Sequence, residues 1–414
     1  MTTILIKNIK TIIGYSADNI AFKKGVQMAE VGELTDAYII IKGDKIAEIG
    51  LMSACPKVDG EVIEATGRLV MPTWCDSHTH IVFAAGREEE FEARLRGESY
   101  ESIATNGGGI LNSALKLQQM SQDELYHHAS ARLENVISCG TGAIEIKSGY
   151  GLTLESELKM LRVIRRLKQN YPVAIKATFL GAHAIPSNYK NDRKAYIALI
   201  IDEMLPAVVA EGLADYCDVF CDHGFFTVEE TDQILKAAKK LGLKPKIHAN
   251  ELANSGGVQI GIANNAISVD HLEAIDQAEI DALLASDTIP TVLPFVSFFL
   301  NIQYAPARKM IDQGLGITIA SDYNPGSSPS GNIPLLMAHA CNGMRLVPNE
   351  AFNAVTINGA YAMELQDQLG TITVGKTANI IITKPINSLA YLVYAFGQNH
   401  IEKVILQGKV MGNV

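Results

Sequence analysis

Between Leu69 and Asp322 the chain repeats one alternation eight times: a short apolar run, then a stretch with apolar residues at three- and four-residue spacing. The runs are LVMPTWCDSHTH, GAIEIK, VAIKATFLGA, YCDVFC, PKIHA, AISVD, IPTVL and GITIASD. Because they are apolar throughout and not at every second residue, they read as parallel strands covered on both faces. The segments between them, such as SQDELYHHASARLENVISCG, LESELKMLRVIRRLKQN and TVEETDQILKAAKKLG, read as amphipathic helices. Eight such units in series predict an α/β fold, a TIM (β/α)8 barrel spanning 67–369. Residues 1–66 and 370–414 hold shorter strand-like runs (TILIKNIKTIIG, AYIIIKGDKIAEIG, GTITVGKTANIIITK, IEKVILQGKVMGNV). Neither end has strands enough for a stable sheet, so the two are expected to combine into one small, sandwich-like β domain.

A barrel of this kind carries its chemistry at the C-terminal ends of its strands. His78 and His80 sit there on the first run, His248 on the fifth, His271 after the sixth and Asp322 at the end of the eighth. Residues at alternate positions of a strand face the same way, so both imidazoles of His78-Thr79-His80 can reach one ion. Histidines placed at random would fall on helices as well. His78, His80, His248 and Asp322 are therefore read as ligands of one Zn²⁺ or Fe ion per chain, with a position left for water. An ion so bound lets water ionise near neutral pH and attack a carbonyl carbon. His271, Glu251 and Asp322 are the candidates for moving the protons that hydrolysis of an amide requires.

Arg87, in the loop GREEEFEARLRG after the first run, can fork onto a substrate carboxylate, whereas Arg94 and Arg96 read as surface charges. KSGYGL with Tyr150, and SDYNPGSSPSGN with Asn324, Gly326 and Ser327, are rich enough in polar and glycine residues to fix a small ligand; both also read as plain turns. Lys147 reads as packing or as support behind the site. Cys217 and Cys221, four apart in an apolar run, read as core residues. The six cysteines form no C-x-x-C pair and are expected to be reduced.

A net charge of −10 with no basic face argues against nucleic acid. The N-terminus does not read as a secretory signal, and no run approaches the roughly 18 apolar residues of a membrane span, so a cytoplasmic protein acting on a small molecule is expected. Barrels of this kind pair through exposed helices, which suggests a homodimer.

The stretches DSHTHIVFAAGREEEFEARLRGESYESIATNGGGI, EIKSGYGL, FLGAHAIP, HANEL, SVDHLE and SDYNPGSSP resemble the amidohydrolase superfamily. Within it they are similar to the members that open the ring of 4-imidazolone-5-propanoate in histidine degradation. The resemblance implies hydrolysis of the cyclic amide C–N bond to N-formimidoyl-L-glutamate. It further implies that Arg87, Tyr150, His183 and Glu251 contact a small anionic heterocyclic substrate, and Asn324, Gly326 and Ser327 the product. The chain departs from the pattern at Thr73-Trp74, where a glycine usually follows Pro72, and at Asn250, often acidic in relatives. Two other readings fit the same residues: an aminohydrolase acting on a heterocyclic base, for which Arg87 is superfluous, and a non-catalytic metalloprotein that binds a small anion.

Overall fold

A computed structural model describes residues 2–98 and 108–412; residues 99–107, which carry part of the GESYESIATNGGGI stretch, lie outside it. The chain opens with β1 (Thr3–Ile13), β2 (Glu33–Lys42), β3 (Lys45–Leu51), β4 (Glu61–Glu64) and β5 (Arg68–Pro72). β1, β2 and β3 form an antiparallel meander, and β4 and β5 run parallel to β1.

Eight parallel strands follow: β6 (Trp74–Asp76), β7 (Thr141–Lys147), β8 (Ala174–Ala182), β9 (Tyr216–Cys221), β10 (Lys244–Ala249), β11 (Ser268–His271), β12 (Ile289–Val292) and β13 (Thr318–Ile319). Each pairs with the next in parallel register. The first and last meet beyond their assigned ends: Thr79 bridges Tyr323 in parallel, and Asp322 N donates to His78 O at 2.9 Å. The barrel is closed by this seam. Helices at Gln122–Ser138, Leu154–Asn170 and Val228–Lys240 fall on the three amphipathic segments. Ser121 with Glu124, and Thr227 with Glu230, form capping boxes that satisfy the orphan N–H groups at two of their starts.

The chain returns to the opening sheet with β14 (Ile380–Pro385), β15 (Ile401–Leu406) and β16 (Lys409–Val410), β14 pairing antiparallel with β5. Both termini thus build one sheet. Apolar side chains of β5, β14 and β15 alternate between its two faces. Val70, Ile380, Ile382 and Ile405 face the sheet's own core, while Leu69, Met71, Ile381, Val404 and Leu406 join the core around the barrel.

The run at 69–80, read as one barrel strand, is divided. β5 belongs to the terminal sheet, and the barrel begins at Trp74, whose buried ring donates from Nε1 to Cys139 O at 2.8 Å. Thr73 turns the chain between the two sheets, donating its N–H to Asn379 O at 3.2 Å. Cys217, Cys221 and Cys75 are buried, Cys55, Cys139 and Cys341 are partly exposed, and all six are free, with no disulfide among the described residues. No described helix is long and apolar enough to cross a membrane.

Candidate active site

Parity along the first strand fixes the site. The Thr79 hydroxyl turns to Glu145 O, at 2.6 Å, so His78 and His80 both face the opposite way, into the barrel mouth. The closing seam then sets them against Asp322, which bends through a left-handed φ of 50°. Asn324 Nδ2 donates to Asp322 O (2.7 Å) and Oδ2 (2.9 Å), leaving Oδ1 without a hydrogen-bond partner and aimed at the histidines.

There the nitrogens converge. His78 Nε2 and His80 Nε2 are 3.3 Å apart, and His80 Nε2 and His248 Nε2 3.4 Å. Asp322 Oδ1 lies 3.4 Å from His78 Nε2 and 3.3 Å from His80 Nε2. Two imidazoles are held from behind: His78 Nδ1 meets Asp270 Oδ2 at 2.6 Å, and His248 Nδ1 meets Asp218 Oδ2 at 2.9 Å. A carboxylate there accepts a hydrogen bond from Nδ1–H, which keeps the proton on Nδ1 and leaves Nε2 with a bare lone pair. Burial holds His78 well below the ordinary histidine range and lowers His248 against the pull of Asp218, which favours neutral rings.

His271, at the end of β11, completes a second convergent group with His78 and His248. It and Leu272 take successive left-handed conformations, φ 88° and 72°, which swing the ring over the barrel mouth. Non-glycine residues there cost about 1–3 kcal/mol each and cluster where function demands them. His271 Nε2 is 3.6 Å from Glu251 Oε2, and Nδ1 is 3.6 Å from Glu273 Oε2. Burial opposes a charge on this ring, but the two carboxylates outweigh it and push its pKa up to about 10. Burial also raises Glu251, to about 7, against the pull of His271.

Above these groups opens a cavity of about 320 Å³ lined by His80, Arg87, Tyr150, His183, His248, Glu251, His271, Asp322, Asn324, Gly326 and Ser327, so the residues singled out from the sequence meet at one place. Only His78 lies behind the wall, wholly buried. Arg87 Nε donates to Ser113 Oγ at 2.8 Å, while Nη2 is buried without a partner among the described residues. Its guanidinium rests against Gly326, where a Cβ would fall 2.4 Å from Nη1. His183 stacks on His80, with ring centroids 5.3 Å apart, and its Nδ1 lies 3.0 Å from Gly149 O, which leaves Nε2 to the cavity. Asn324 is spent within its own turn, Oδ1 accepting from Gly326 N (2.7 Å) and Ser327 N (2.8 Å).

The amidohydrolase family profile matches residues 69–411. An imidazolonepropionase from Flavobacterium johnsoniae is 52% identical over 408 residues, 98% of this chain and 99% of the relative. One from Christiangramia forsetii is 51% identical over 410 residues, covering 99% and 100%, and one from Alkaliphilus metalliredigens 41% over 416, covering 99% and 98%. The chain belongs to the imidazolonepropionase family of amidohydrolases. Among solved structures, an atrazine chlorohydrolase from Arthrobacter aurescens complexed with zinc superposes with a TM-score of 0.70 at 14% identity, covering 98% of this chain and 94% of that one. An adenosine deaminase from Xanthomonas campestris with bound zinc gives 0.68 at 13%, covering 99% and 92%. At such identity these two speak for the fold alone.

Amidohydrolases are metal-dependent hydrolases, and the donor set here fits a metal. Four donors placed tetrahedrally about 2.0–2.1 Å from an ion stand roughly 3.3–3.4 Å apart, and the separations between these nitrogens and Asp322 Oδ1 have that size. Neutral rings with their protons on Nδ1 turn only acceptors towards one another and towards Asp322 Oδ1, a set that a cation satisfies. Arg94 corrects the reading of it as a surface charge. It lines the cavity of this amidohydrolase with its Cζ 4.8 Å over the Phe299 ring and Nη2 buried; Arg96 is exposed as expected. Asp218, Asp270, Glu273 and Ser113 join the site although no spacing or motif assigns them to it. For the two aspartates a signal exists, an isolated charge within an apolar strand that must find a partner inside the barrel.

Proposed function

We propose that the chain opens the ring of 4-imidazolone-5-propanoate, hydrolysing its cyclic amide C–N bond to N-formimidoyl-L-glutamate in histidine degradation. The observation that carries this reading is the unpartnered edge of Arg87 facing the same cavity as the convergent donors of His78, His80, His248 and Asp322. An anionic side chain on the substrate gives that arginine a partner; a neutral heterocyclic base does not. Near-complete coverage by imidazolonepropionases at 40–52% identity supports the same substrate.

His78, His80, His248 and Asp322 hold one zinc or iron ion, which when bound lowers the pKa of water and polarises the ring carbonyl. Arg87 grips the propanoate by two parallel hydrogen bonds, with Ser113 fixing its Nε. Tyr150 and His183 Nε2 bound the ring on one side; the backbone of Gly326 and Ser327 meets the product's glutamate-like portion, with Asn324 shaping that turn. A carbon–oxygen bond forms at the carbonyl carbon, the bond to nitrogen breaks, and the nitrogen leaves with a proton. His271 Nε2 and Glu251 Oε2, 3.6 Å apart, and the Asp322 carboxylate are the groups that take the proton from water and deliver it to that nitrogen.

The chain divides into a composite β unit of 1–66 with 370–414 and a hydrolase barrel of 67–369, β5 being the strand by which the barrel segment reaches into the terminal sheet. It works in the cytoplasm, as a homodimer, without nucleic acid or membrane partners. The test is to mix metal-loaded chain with freshly generated 4-imidazolone-5-propanoate and follow loss of the ring's ultraviolet absorbance beside a chelated control. Rapid, chelator-sensitive loss is expected. No loss in metal-replete protein, with ammonia released from an amino-substituted heterocycle instead, overturns the reading in favour of a deaminase.

A further inference from the structure

Two lysines lie inside the barrel with no exposure at all, Lys147 on β7 and Lys246 on β10. A buried ammonium group persists only where carboxylates and hydrogen bonds replace its water. Lys246 is matched by Glu145 Oε2 and donates to Ser77 O at 3.3 Å. Lys147 is placed differently. Its Nζ donates to Glu145 Oε1 at 2.6 Å and Asp218 Oδ2 at 2.8 Å, and lies 3.6 Å from Asp270 Oδ2. Those last two oxygens are the ones that hold His248 Nδ1 and His78 Nδ1. Its backbone N–H also donates to Thr79 O at 2.8 Å, midway between His78 and His80.

We propose that Lys147 is a positioning residue for the metal centre, its ammonium group tying together the two carboxylates that hold His78 and His248 from behind. The inference rests on those histidines being metal ligands, as argued above. Asp218 and Asp270 come from β9 and β11, on either side of the strand that carries His248, and among the described residues no hydrogen bond joins them directly. Asp270 Oδ1 has no partner, so this carboxylate is steadied through Oδ2 alone, by His78 and the lysine. Asp218 Oδ1 also accepts from His248 N at 3.1 Å, so removal of Lys147 leaves Asp218 one remaining backbone anchor and Asp270 none, and the imidazole of His78 turns most freely.

Glu145 supplies the control, because it touches Lys147, Lys246 and Thr178 but neither histidine. Glu145→Gln keeps the tie. Lys147→Met combined with Glu145→Gln removes it while leaving the barrel's net charge as it was. Zinc affinity is measured by competition with a chelating dye on folded protein, and the visible bands of the cobalt(II)-loaded protein report ligand geometry. Glu145→Gln is expected to bind zinc as the parent does, and the double variant roughly 10–100-fold more weakly, with displaced cobalt bands. A folded double variant with parental cobalt bands and an affinity within about threefold of Glu145→Gln overturns the proposal. If the double variant does not fold, Lys147→Gln, too short to reach both aspartates, carries the same expectation. Failure of both to fold makes Lys147 a pillar of the barrel and also overturns it. His248→Ala separates the underlying assumption: undiminished zinc binding by that variant means the ligand assignment is what has failed.

Discussion

Arg87 and Gly326 work as one device. The guanidinium can lie in the cavity wall only because position 326 carries no side chain, a Cβ there falling 2.4 Å from Nη1. Two consequences can be measured. Arg87→Ala forfeits two charge-assisted hydrogen bonds, each worth about 1.5–3 kcal/mol, so KM for the imidazolone substrate should rise by about a hundredfold or more. Metal content and thermal stability should stay at parental levels, since Arg87 touches no proposed ligand; an unaltered KM would count against the carboxylate clamp. Gly326→Ala is the gentler counterpart. Arg87 is the flexible end of a long side chain and can move aside, so the fold should tolerate the methyl, but the displaced fork no longer meets the carboxylate. An increase in KM of roughly tenfold with little change in kcat or melting temperature is expected, because small misplacements of a positioning group are expensive. A fall in stability with KM intact would show that Arg87 keeps its place and the surrounding fold yields to the methyl instead.

At the scale of elements, the KSGYGL loop after β7 depends on a residue well outside it. Glu157, buried on the helix Leu154–Asn170, accepts from Gly149 N (3.1 Å), Gly151 N (2.7 Å) and Leu152 N (2.8 Å), and so folds the loop that carries Tyr150 to the cavity. Glu157→Ala leaves three buried N–H groups without acceptors and should cost about 3 kcal/mol or more in urea unfolding. The loosened Tyr150 should also raise KM; unchanged stability would mean that water takes over all three donors. The same loop shows where sequence stops being legible. Eight strands could be read because parallel burial writes an unbroken apolar run. His78, His80, His248, His271 and Asp322 could be read because each stands at the end of one such run. The carboxylates behind the histidines could not be paired in advance, since their partners lie on neighbouring strands and the register between strands is not written in either. Glu157 was hidden for a similar reason: an acidic residue in the first turn of a helix ordinarily needs no explanation beyond the helix dipole. The division at Thr73 was hidden by continuity, because β5 and β6 form one apolar run although they serve different sheets.

In the whole molecule, that division decides how the terminal sheet and the barrel depend on each other. A single residue, Thr73, separates β5 from β6, and the first proposed ligand follows β6 by two residues. The sheet's outer face is not solvated. Leu69, Met71, Ile381, Val404 and Leu406 share one continuous apolar cluster with Trp74, Ile144 and Ile146 of the barrel. Parting the two units would bare that face and release β14 from β5, so neither has an independent route to a folded state. Although two-unit metalloproteins commonly unfold in steps, scanning calorimetry of this chain should therefore give one endotherm, with the calorimetric and van't Hoff enthalpies in agreement. Loading the metal should move that endotherm upward as a whole, since a ligand held at a thousand times its Kd adds about 4 kcal/mol to any state that binds it and all of the structure shares that state. Two resolved transitions, with only the later one responding to metal, would show that the barrel holds its site without the terminal sheet. The short crossing at Thr73 would then be a tether between independent domains and not the point where one sheet sets the first strand of the other.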